Sequence, residues 1–161
     1  IVEYQRTKEI PPRGSGDDRS PDIDTDLNDS TVRTGMEPGT FLDGGSVTIS
    51  NVTYAVCRTE DSSPTAFATV RDETETTTVI AEAELDEVDH SSIERDWKRL
   101  TFDMELPFEV VGFLAAVATA LTDAGVSVFV LSSYSTDHIF VKTDDIDAAI
   151  TKLEELGCDV N

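Results

Sequence analysis

The sequence is short of cations. Lysine and arginine together number 12 against 33 acidic residues, a formal net charge of −21 over 161 residues. Only Lys8, Lys98, Lys142 and Lys152 are lysines. Such a balance excludes functions that rest on a nucleic-acid backbone or an anionic membrane surface, because both need clustered Lys and Arg. Yet hydrophobic residues make up 39% of the chain, so the deficit is not that of an unfoldable polymer. A foldable core beneath an acidic, lysine-poor surface points to a halophilic protein, one that works in concentrated salt where self-repulsion is screened. The plainer alternative is an ordinary acidic protein whose charge sits mostly in its tail.

Cysteine is scarce too. Cys57 and Cys158 lie far apart and neither belongs to a metal-like pair. They read as free thiols of a reducing compartment, with a disulfide the less favoured alternative. His90 and His138 do not complete a zinc site with them, so no metal and no cofactor is expected. No apolar run reaches the roughly 18 residues of a membrane span, because Thr119, Thr122 and Asp123 interrupt the longest. The first residues carry no apolar segment of signal-peptide type. The expectation is a soluble, cytoplasmic protein.

What is present is concentrated in Phe108 to His138. Val110, Phe113, Leu114, Val117 and Leu121 recur at spacings of three and four, the apolar face of a helix that Pro107 could start. Gly112, Ala116 and Ala120 form a second stripe of small residues, expected on the opposite face and covered by a second backbone. Gly125 suits the left-handed residue that stops such a helix. Val126 to Leu131 is a β-branched run of buried-strand type.

Taken in order, residues 1–42 are rich in Pro, Gly, Ser, Asp and Thr and read as a disordered or loosely ordered acidic arm. Asp22, Asp24 and Asp26 imitate the start of a calcium loop, but Leu27 and Arg33 stand where its glycine and glutamate belong. Short strands are expected at 46–49, 53–58, 67–70 and 76–81, with a helical turn at 83–88. A strand at 97–104 follows, with Trp97, Arg99, Thr101 and Asp103 on one side and Lys98, Leu100, Phe102 and Met104 on the other. After the strand at 126–131 come a strand at 138–142, a helix capped by Thr143 or Asp144 and stopped by Gly157, and a last strand at 158–160. The class is α+β, and the order β-α-β-β-α-β is the ferredoxin-like unit.

The stretches GFLAAVATAL, AGVSVF and SSYSTDHIFVK, with the closing helix, resemble the ACT-domain family. They are most similar to small two-ACT proteins related to aspartate kinase regulatory regions and to a cytosolic arginine sensor. In that family the SSYSTDH piece usually has Thr at Ser133 and an aromatic residue at His138. The resemblance implies a C-terminal ACT domain at 95–161 and a smaller, β-rich ACT-like half at 43–92. It also implies a non-catalytic regulatory protein, a dimer or other homo-oligomer in which ACT units pair side by side, and an amino acid or similar small metabolite held at an ACT–ACT interface. Carried over by position, the loop opening the helix supplies Val111, Gly112, Phe113 and Leu114. The end of the second strand of a neighbouring unit supplies Ser132, Ser133, Thr136 and Asp137.

The residue types suit that chemistry. Free N–H groups at a helix start attract a carboxylate, and Asp137 can accept from an ammonium or guanidinium. Each also has a plain structural role: Gly112 in helix packing, Asp137 in a turn, Glu109 at a helix dipole, His138 in a strand. Ser135, Asp137 and His138 do not form a triad, because consecutive strand residues point apart and no nucleophile elbow is present. Two further readings stay open: a structural oligomerisation module without ligand, and an enzyme of unknown type.

Overall fold

The structure, a computed structural model, describes residues 39–161. The Asp22/Asp24/Asp26 run and nearly all of the expected arm lie outside them. A short helix α1 (Gly39–Leu42) comes first, and its Leu42 is buried in the main core. Helix α1 therefore lies ahead of the boundary at 42/43 that composition suggests.

Seven strands follow: β1 (Ser46–Thr59), β2 (Ala68–Arg71), β3 (Thr76–Ala81), β4 (His90–Phe102), β5 (Val128–Ser132), β6 (Asp137–Lys142) and β7 (Asp159–Val160). Helices α2 (Phe113–Asp123) and α3 (Ile146–Glu155) flank the β5–β6 hairpin in sequence, and a 3-10 turn covers Glu82–Glu87. The strands form one sheet in the order β2-β3-β1-β4-β6-β5, antiparallel throughout, with β7 added in parallel to the start of β1.

Three features depart from the sequence expectation. The strands foreseen at 46–49 and 53–58 are one strand, because β4 pairs with both parts while residues 50–52 bulge out of register. In turn, β4 starts at His90, so the division drawn at 92–95 falls inside a hydrogen-bonded ladder. A bulge there, not a linker, lies between the Tyr54–Trp97 and Val56–Glu94 pairs. Asp96 takes a left-handed φ of 64° within it, and the Asp96 N–H donates to Glu82 Oε1 at 2.6 Å. Finally, β7 pairs with Ser46 and Val47 of β1. The βαββαβ order is kept, but a strand of the N-terminal half is threaded between β7 and β4.

The period-2 pattern of β4 appears as foreseen. Leu100 and Phe102 face a core closed by Phe113, Val117 and Leu121 of α2, Ala149 and Leu153 of α3, and Ile139 and Val141 of β6. Trp97 and Arg99 face the other way, with Tyr54 and Phe140. Phe67 folds over this helix-free face and meets the rings of Tyr54, Phe140 and His138 edge-on. The Arg99 guanidinium lies 4.3 Å from the Phe67 centroid, and the Lys142 ammonium 4.2 Å from that of Trp97. Arg99 Nε and Trp97 Nε1 are buried without a hydrogen-bond acceptor among the described residues. Cation–π attraction, on the order of 2 kcal/mol when desolvated, offsets part of that cost at Arg99.

Helix α2 starts later than its apolar spacing suggests. Gly112 has φ 85° and ψ 1°, a left-handed conformation that ends helical continuity on its N-terminal side. Val110 instead belongs to a turn closed by its N–H donating to Pro107 O at 3.0 Å. The Ala116/Ala120 stripe lies beside the buried Phe113/Val117/Leu121 face, not opposite it, since each residue advances about 100° around a helix. Both alanines are half-buried, and Ala116 packs on the core that includes Ala149 and Leu153 of α3. The outward positions are Ala115, Thr119 and Thr122. Helix α3 begins at Ile146 behind a 3-10 turn at Thr143–Asp145, so neither Thr143 nor Asp144 is its cap. Gly125 (φ 73°) and Gly157 (φ 94°) stop the two helices as expected. Cys57 and Cys158 are free and buried, and burial raises both thiol pKa values. Among the described residues no helix is long and apolar enough to cross a membrane.

Candidate functional site

The chain leaves β4 at Phe102, runs through Pro107 and reaches α2 at Phe113. Two hydrogen bonds hold this loop against the turn joining β5 to β6. The Leu106 N–H donates to Ser135 O at 2.8 Å, and Thr136 Oγ1 donates to Phe102 O at 2.6 Å. The turn is closed by Ser133, whose N–H and Oγ both donate to Thr136 O, at 2.9 and 2.8 Å. A groove of about 370 Å³ lies between loop and turn. That volume is near the lower end for small-molecule sites, about 300–1,000 Å³.

One wall is the start of α2. The Ala116 N–H donates to Gly112 O at 2.9 Å, so the N–H groups of Phe113, Leu114 and Ala115 have no acceptor within the helix. Among the described residues no side chain caps them. They present the positive end of the helix dipole, and Gly112 adds no Cβ to obstruct approach. Opposite stand Ser132, Ser133, Thr136 and Asp137. Among the lining residues Asp137 alone carries a formal charge.

Of the eight residues singled out from the sequence, seven line this groove: Gly112, Phe113, Leu114, Ser132, Ser133, Thr136 and Asp137. Val111 does not, and its side chain is 71% exposed. Both segments come from one chain, whereas the resemblance implied two neighbouring units. Sequence reasoning missed Phe108 and Tyr134, which sit at the rim 76% and 81% exposed. Their rings meet at 5.2 Å and 81°. Tyr134 stood inside a stretch that carried the resemblance and Phe108 opens the stretch from 108 to 138, but neither was given a role there.

His138 is a strand residue, as foreseen. Its Nδ1 lies 3.0 Å from Thr101 Oγ1 and its ring meets Phe67 edge-on at 5.2 Å. Burial, then the nearby Arg99 charge, lowers its pKa. A larger recess of about 500 Å³ lies between residues 60–64 and 87–91, lined by Glu60, Asp61, Glu87 and Asp89 beside His90. Among the described residues no cluster of His, Cys, Asp and Glu is placed to hold a metal ion.

Comparison with known proteins agrees with the fold. Residues 92–155 match the family model described as the ACT domain. A crystal structure of an Agrobacterium tumefaciens protein superposes with a TM-score of 0.63 at 20% identity, covering 73% of this chain and 92% of that one. A Vibrio cholerae protein of unknown function, described as a possible transport protein, gives a TM-score of 0.60 at 26% identity, over 72% and 92% of the two chains. Aspartate kinase from Clostridium acetobutylicum, described as an allosteric enzyme, gives 0.55 at 14% identity, over 71% of this chain and 35% of the kinase. No curated protein matches the sequence.

Proposed function

Because residues 92–155 belong to the ACT-domain family, we propose that this protein is a non-catalytic regulatory module that binds an amino acid in the groove between residues 106–115 and 132–137. The observation that carries this reading is the convergence of an uncapped helix start and the Asp137 carboxylate on one groove. An α-carboxylate would accept from the N–H groups of Phe113, Leu114 and Ala115. The α-ammonium would donate to Asp137, a charge-assisted bond of about 1.5–3 kcal/mol. Val111, although outside the lining, stays with the site as a residue that a second copy could cover.

The working assembly proposed is a homodimer. Among the described residues strand β5 ends the sheet and offers an unpaired edge. Phe108, Val111 and Tyr134 are large and exposed, Tyr134 in the turn that follows this strand. A second copy laid along this edge would shield those side chains and close the groove. The acidic composition supports work in a salt-rich cytoplasm, where a charge of −21 would be screened.

Thermal unfolding of the full chain in concentrated salt, with each of the twenty amino acids in turn, tests the reading. One or more should raise Tm in a saturable way, by about 2.7 kcal/mol of added stability at a hundredfold excess over Kd. Asp137→Asn should remove most of that gain. A flat response to all twenty, with the dimer intact, would leave a pairing module without ligand.

A further inference from the structure

We infer that Phe108 and Tyr134 form the side-chain subsite of this groove, and that it takes a bulky apolar side chain and rejects an acidic one. The inference rests on the amino-acid reading above and adds a specificity to it.

Once the helix N–H groups and Asp137 are assigned to the α-carboxylate and α-ammonium, what remains of the lining is mainly apolar: the Ser133 and Thr136 hydroxyls are spent on backbone carbonyls, which leaves Ser132 and the Tyr134 hydroxyl as its other polar groups. Leu106, Pro107, Val110 and Leu114 form the wall, and the two rings stand at the mouth. Neither Lys nor Arg is among the lining residues, so nothing there neutralises a side-chain carboxylate. Glu105 and Glu109 are exposed on the same loop and add to the negative field. A cationic side chain finds no second carboxylate in the lining, because Asp137 is taken by the ammonium.

The rings are also placed in advance. Phe108 comes from the loop and Tyr134 from the turn, and the Leu106–Ser135 and Thr136–Phe102 hydrogen bonds fix one segment against the other. Their edge-to-face meeting at 5.2 Å leaves a corner of the kind a third ring or a branched aliphatic group fills. Exposures of 76% and 81% leave most of that apolar area to be covered by whatever enters.

Calorimetric titration of the full chain in concentrated salt with phenylalanine, leucine, alanine, lysine and glutamate decides the matter. Phenylalanine and leucine should bind at least tenfold more tightly than alanine, in line with about 10–200-fold for a methylene in an apolar pocket. Glutamate should give no heat of binding. Phe108→Ser and Tyr134→Ser should each collapse the preference over alanine, with the circular dichroism of the parent protein, since both rings lie outside the core. Tightest binding of glutamate or lysine, or a preference that survives both substitutions, overturns the subsite while leaving the amino-acid reading in place. Variants that lose the dimer yet keep the preference assign the rings to contact between copies and overturn it too. If none of the twenty amino acids binds, the reading beneath it fails, and the inference with it.

Discussion

The two ends of the long β1–β4 ladder are built unequally. At one end the sheet is roofed by α2 and α3, and the core holds Val47, Leu100, Phe102, Val117, Leu121, Ile139, Val141 and Leu153, each no more than 1% exposed. At the other end the roof is a 3-10 turn, and the buried cluster is Ala55, Cys57, Ile80 and Leu85. Thr59 and Thr78 share a buried hydrogen bond at 2.9 Å beside it. The smaller cluster removes far less apolar surface from water. Its strands are continuous with those of the larger core, so the N-terminal half is held by extension of a ladder stabilised elsewhere. The dependence also runs the other way, because Leu42 and Val47 precede every other element of the large core in sequence.

The most drastic test of that mutual dependence is to remove residues 1–89 and keep the ACT-matching segment with β7. The piece loses Leu42, Val47 and the partner of β7. It should show no cooperative unfolding transition, and a sharp transition would prove the C-terminal half autonomous. A finer test compares two fully buried aliphatic residues. Leu100→Ala should cost near the top of the usual range of about 2–5 kcal/mol, and Ile80→Ala near its bottom, because the thinner cluster relaxes into its cavity more readily. Denaturant titration of both variants measures this, and equal losses would mean that the two ends are equally consolidated.

The smallest effect concerns pH. His138 has a lowered folded-state pKa, so the folded protein binds fewer protons there than the unfolded chain. Its contribution is full above the ordinary histidine value of about 6.5 and is lost as pH falls through the lowered one. Tm profiles of the parent and His138→Gln should therefore converge as the pH drops below that value. Parallel profiles would show that the imidazole titrates alike in the folded and unfolded chain, with no lowering on folding.

Much of this architecture was legible from spacing. Alternation in β4, the residues of β3 and the glycine stops at 125 and 157 follow from local rules that need no partner. The start of α2 was not legible, because Val110 satisfies the helical period while Gly112 breaks it by a backbone angle that sequence does not display. Strand β1 looked like two, since nothing in Ser50-Asn51-Val52 says that β4 spans both sides of the bulge. The partner of β7 and the clamp of Phe67 over Arg99 are long-range choices, invisible to any window. At the site, the two segments were identified by likeness, and seven of the eight residues meet in one groove. The rim aromatics were passed over because an exposed Tyr in a polar turn carries no periodic signal.

Strand β1 has one more consequence, which concerns biosynthesis. Its first residues leave the ribosome well before β4, and β7 emerges after every other strand. Until β7 arrives, Ser46 and Val47 wait with one side unpaired. Translation and completion of the sheet are therefore separated in time, and a nascent chain stalled between α2 and α3 would display an open seam to chaperones.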